Sequence, residues 1–228
     1  MAEVLLLGTV HNDILGPSRL EAALAAETPD VITLETNPKQ FSASEAGIIH
    51  RLHRQRLAFW KEHGLDPAIA ALLENEILTY DFEISIPAAY SRKHPTPLHC
   101  LEKNTEYDAT IRELSRLPRD PREIQEHIRM LNQYDSSRVF LRGEQLYDDA
   151  HSFFSSGDPR IHAAELRAAD MMYLHNNINL KGRDAFMAPH LLKIVKDHPT
   201  AKIVHIGGLA HFFDDVKNLT DVQDNLRV

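Results

Sequence analysis

The chain has 228 residues, enough for one well-buried core, and its 25 basic and 33 acidic side chains leave a net charge of −8. That balance offers no basic footprint for nucleic acid. The lone cysteine, Cys100, rules out an internal disulfide and a cysteine-based zinc site. No stretch approaches the ~20 apolar residues of a membrane span, and the N-terminus lacks the basic lead and long apolar core of a signal peptide. A cytoplasmic protein without membrane or nucleic-acid partners is expected.

Val4 to Leu7 is an unbroken apolar run, the pattern of a strand buried on both faces of a parallel sheet. It runs into Gly8, Thr9, His11 and Asn12. Gly16-Pro17 then opens a short helix through Leu20, Ala23, Leu24 and Glu27, with proline suited to the first turn. Asp30 to Leu34 is a second strand, rich in β-branched residues and closed by Glu35-Thr36-Asn37. Strand, helix, strand is a βαβ unit, so the two strands should be parallel and deliver His11 and Glu35 to one sheet edge. Chemistry in open α/β sheets collects at the carboxyl ends of the strands.

Residues 38 to 80 read as helices, with Asp66-Pro67 as a cap and first turn. Phe82 to Pro87 reads as a short strand or extended loop. Thr96 to Leu101 reads as a strand ending in Glu102. Residues 105 to 180 are helical in pattern, with starts at Asp120-Pro121 and Asp158-Pro159, and should form an insertion over the strand edge. Phe186, Met187, Leu191, Ile194 and Val195 suggest a helix that Pro189 must begin or kink. Thr200 to Ile206 is a last strand, running through Gly207-Gly208 to His211. The expected fold is a single α/β domain over 1–228: a mostly parallel central sheet, flanking helices, and a large helical insertion at about 105–180.

Four ordered stretches resemble the TraB/PrgY and Tiki proteins, in the wider group of erythromycin esterases and ChaN-like haem-binding proteins. They are GTVH (8–11), ETN (35–37), RDAFMA (183–188) and IGGLAHF (206–212), with PLHCLE (97–102) as a further match. The resemblance implies an α/β core whose motifs converge at one edge. For Tiki-like members it also implies metal-dependent proteolysis; other members hydrolyse esters with histidine-activated water or bind haem. Pro189 departs from the family pattern, in which that helix continues, and the last glycine-rich motif runs one residue longer.

Each residue also has an ordinary explanation. His11 and His211 follow an apolar strand and glycine, but a loop histidine can be a simple cap. Glu35 reads equally as a site carboxylate or as the acid that starts the next helix. Glu102 lies beside Lys103 and could be a surface acid. His205 and His99, inside strands, read as hydrogen-bonded core histidines. Arg183 is a surface residue by default; at the edge it could bind a carboxylate or steady an oxyanion. His50 and His53 have metal-like spacing, yet Arg51, Arg54 and Arg56 surround them, and a solvated basic face is expected.

Two functions follow. One is a hydrolase, metal-dependent or histidine-assisted, acting on a small molecule or peptide. His11, Glu35, Arg183 and His211 would be its catalytic set; His11, Glu35, Glu102 and His211 would hold Mn, Co or Zn. The other is a non-enzymatic protein that binds a haem-like or other small ligand in the same pocket.

Overall fold

A computed structural model describes residues 1–10, 13–103, 111, 112, 114–133 and 180–208, with backbone alone for 180–184. Four strands form one sheet: β1 (Glu3–Thr9), β2 (Val31–Leu34), β3 (Leu98–Cys100) and β4 (Lys202–Gly208). The order is β1-β4-β2-β3, and every pairing is parallel. The first two strands are parallel as the βαβ pattern requires, but they are not neighbours. The last strand lies between them, pairing Thr9 with Gly208 on one side and Leu34 with Ile206 on the other.

This order decides burial. β2 and β4 are the inner strands, and Val31, Ile32, Leu34, Ile203, Val204 and Ile206 are all essentially inaccessible. β1 is an edge strand. Its apolar run is therefore only half-buried at Leu5, Leu6 and Leu7, not covered on both sides as the sequence pattern suggests.

Alternation along the strands builds two cores. Val4, Val31 and Ile203 pack with Met187, Leu191 and Val195 of α7 (Leu180–Asp197). Ile32, Leu34, Val204 and Ile206 pack on the opposite face with Leu20 and Leu24 of α1 (Gly16–Glu27) and Phe82 of α5 (Phe82–Lys93). The contact of α1 with α5 is close at Gly16, where a Cβ would fall 2.5 Å from the Phe82 ring.

Three further helices form a third cluster. Leu57 and Trp60 of α3 (Ile48–Glu62) pack with Ala70 and Ile77 of α4 (Pro67–Thr79), and Ile124 and Ile128 of α6 (Pro121–Asn132) lie against them. The expected caps form: Asp66 accepts from the Ala68 and Ile69 amides, and Asp120 from the Arg122 amide. Among the described residues no helix is long and apolar enough to cross a membrane.

One local expectation is corrected, and a second is narrowed. Phe82 to Pro87 is the first half of α5, with Pro87 inside the helix. Phe82 and Ile84 alternate as in a strand, but Pro87 and Ala88 are buried with them, and helical winding brings all four inward. Pro189 neither begins nor ends its helix; α7 continues through it. The Phe186 carbonyl, one residue past the one a proline leaves without its amide, takes a bond from His190 Nδ1 at 2.7 Å. The expected helical insertion is described only at 111, 112, 114–133 and 180, with helix at 111, 112, 114, 115, in α6 and at 180; Asp158-Pro159 and its other residues lie outside the described ones.

Candidate functional site

The carboxyl edge of the sheet is assembled by β4. Its Gly207-Gly208 lies between the ends of β1 and β2. The chain leaves β2 with the Glu35 amide bonded to the Ile206 carbonyl at 2.9 Å, which carries the carboxylate to the glycine pair. The Gly208 amide donates to Glu35 Oε2 at 2.6 Å, a short, charge-assisted bond. A Cβ on Gly207 would lie 2.9 Å from the same oxygen. Glycine is thus the residue that lets the backbone approach this carboxylate.

The helix that follows Glu35 is capped by another residue. Asn37 Oδ1 accepts the Gln40 amide at 2.8 Å at the start of α2 (Pro38–Glu45). The cap reading of Glu35 is therefore replaced: in ETN the third residue caps and the first faces the glycine motif. Thr36, between them, is 1% exposed, and its hydroxyl makes no hydrogen bond among the described residues. A buried unsatisfied hydroxyl costs about 1–3 kcal/mol, and such groups mark places where water or a ligand completes the bonding.

A second carboxylate approaches from the opposite face. The Thr9 hydroxyl bonds to Glu83 on α5 and lies 3.0 Å from the Gly207 carbonyl. Glu83 was not legible as a site residue. An acid in a helix's first turn is expected simply from the helix dipole, and only the fold brings it to the end of β1. The turn after β1 is held by buried Asp13, which accepts the Leu15 amide at 2.9 Å and pairs with Arg19 at 3.0 Å.

Of the named candidates, Glu35 is described in full. Glu102 lies past the end of β3, its amide bonded to the Thr36 carbonyl at 2.9 Å; its backbone therefore reaches the same edge. Arg183 is in α7, one helical turn before fully buried Met187, and its side chain lies outside the described residues. His11 and His211 lie outside the described residues, as do Gly207's successors from Leu209 onward.

Among the described residues no three His, Cys, Asp or Glu side chains converge as a metal site requires.

The other histidines sort differently from expectation. His205 is the core histidine anticipated: fully buried, with Nδ1 2.9 Å from the Thr33 hydroxyl. His99 is only half-buried on edge strand β3, and its Nε2 has no hydrogen bond among the described residues. Burial, and then the neighbouring His198, push its pKa below the ordinary 6.5. His50 and His53 are not a freely solvated face. His50 Nε2 meets buried Asp81 at 2.5 Å. His53 meets the Tyr80 ring at a tilt, with centroids 4.2 Å apart. Burial first, then Arg56 and His50, hold the His53 pKa below 6.5.

No protein-family model, curated protein or solved structure matches the chain. The likeness to TraB/PrgY and Tiki proteins therefore rests on the short motifs alone.

Proposed function

We propose that the carboxyl edge of the sheet is the active site of a hydrolase of the TraB/Tiki type, acting on a small molecule or a flexible peptide. The observation that carries this reading is the bond between Glu35 and Gly208, residues 173 positions apart. Two of the motifs behind the family resemblance meet there, although neither needs the other for its own secondary structure.

The chemistry assigned to this chain is water attack on a carbonyl. His11 or His211, as the neutral imidazole, takes the proton of the attacking water. Glu35 supplies the negative charge that orients the ring and steadies the imidazolium. Arg183 binds the substrate's carboxylate or the developing oxyanion. Where a divalent Mn, Co or Zn ion is held by His11, Glu35, Glu102 and His211, it supplies Lewis acidity and a more acidic water.

Metal analysis of protein purified without a histidine tag tests this proposal. Equimolar metal that disappears in His11→Ala supports the metal-dependent form. A protein without metal that develops a Soret band on adding haem supports the non-enzymatic binding reading instead.

A further inference from the structure

We propose that the groove between α3 and the end of α4 is a second binding site, for an oxyanion carried on an apolar body. The class is an organic phosphate monoester or carboxylate. The groove has a volume of about 740 Å³ and is lined by Gly47, His50, Arg51, Arg54, Ala58 and Leu78, among others.

Asp81 is the first reason. It sits at the N-cap of α5, where an aspartate ordinarily bonds its own helix's amides. Asp81 makes no such bond. One carboxylate oxygen takes the Ser44 hydroxyl and the other takes His50 Nε2, while the carboxylate is only 6% exposed. The imidazole is thereby fixed in orientation on the groove wall. Its other nitrogen, Nδ1, has no hydrogen bond among the described residues, and it can donate to an oxyanion when the ring is the imidazolium.

The arginines are the second reason. His50 and Arg54 are spaced i, i+4, as are Arg51 and Gln55, so the four share one side of α3. Neither Arg51 nor Arg54 has an ion pair among the described residues. In a chain with eight more acidic than basic side chains, two unpaired guanidiniums beside a fixed imidazole are a local reversal of charge. Tying α2, α3 and α5 together explains the Ser44–Asp81–His50 contacts, but not this pairing of free cations with a cavity. Gly47 adds to the attraction. It opens α3 without a side-chain cap, and a Cβ there would meet open space; helix N-termini favour anions.

The apolar part of the ligand follows from Leu78. It is 60% exposed and lines the groove together with Ala58. A bare inorganic ion would leave this side chain uncovered.

The test is titration of the full chain with phenyl phosphate and with phenylacetate, followed by calorimetry. The expected result is saturable 1:1 binding with a dissociation constant below about 1 mM. Replacing both arginines (R51Q and R54Q together) should weaken it at least about tenfold. These positions are exposed, so the fold should survive, which circular dichroism checks. The tighter of the two probes identifies the head group. Glu35→Gln should bind both probes like the parent, which separates this site from the strand-edge site. Failure to saturate at about 10 mM, equal affinity in the arginine variant, or loss of binding in Glu35→Gln would each overturn the proposal.

Discussion

Replacing Gly207 by alanine probes the junction of the two motifs directly. The new methyl carbon would lie 2.9 Å from Glu35 Oε2, and ordinary contact begins at 3.4 Å. The carboxylate must therefore withdraw by 3.4 − 2.9 = 0.5 Å or more. It can move, because it is the end of a side chain. That movement releases the Gly208 amide, which is buried and has the carboxylate as its 2.6 Å acceptor. Losing a charge-assisted bond at a buried amide costs about 1.5–3 kcal/mol. For a chain of this size that lowers the melting temperature by about 3–12 °C. Urea unfolding of Gly207→Ala, Glu35→Ala and the double variant measures the coupling. Glu35→Ala already removes the acceptor, so adding Gly207→Ala should cost no more than about 0.5 kcal/mol. Additive costs would show that the methyl group acts elsewhere and would refute the reasoning.

Gly16→Ala drives a methyl group into the Phe82 ring and should destabilise the α1–α5 contact by about 1–3 kcal/mol, read as a shift in the urea midpoint. Cys100 is partly buried, and burial pushes its thiol up to about 11. It should react slowly with a disulfide reagent at pH 8 and rapidly once urea unfolds the chain; equal rates would contradict its placement. The pKa of His53 is lowered in the folded state, so below its ordinary 6.5 the unfolded chain binds more protons. Its contribution to stability is present above pH 6.5 and is lost as pH falls through the lowered folded value. The fall in urea midpoint from pH 7.5 to 5.5 should shrink in His53→Phe; an unchanged fall would assign the effect to other groups.

Much of the scaffold is legible because it depends on local signals. The four strands, the Asp66 and Asp120 caps and the helix start at Gly16-Pro17 follow from neighbouring residues and appear as expected, although β1 and β4 run on through their glycines to Thr9 and Gly208 and β3 is only Leu98–Cys100. The parallel sense of β1 and β2 was readable from the helix that joins them. Their separation by β4 was not, because strand order depends on which apolar faces pack and leaves no mark in either strand. The α5 helix was misread for a related reason: Phe82, Ile84 and Ile86 alternate, and only the packing against α1 decides for the helix. At the site, Glu35 was legible as an acid after a strand, but its partner Gly208 was reachable only through the fold. Glu83 had no signal beyond the common preference for acids in a first helical turn.

The most direct measurement is turnover of short-chain p-nitrophenyl esters and a fluorogenic peptide by the parent and by Glu35→Gln. Glutamine keeps an acceptor for the Gly208 amide, so the fold should be retained, as circular dichroism would verify. The account predicts that the parent hydrolyses at least one substrate class and that Glu35→Gln loses about tenfold or more of that rate. A variant as active as the parent, or a parent inert toward both classes with and without added Mn, Co or Zn, would contradict a hydrolytic site at the strand edge.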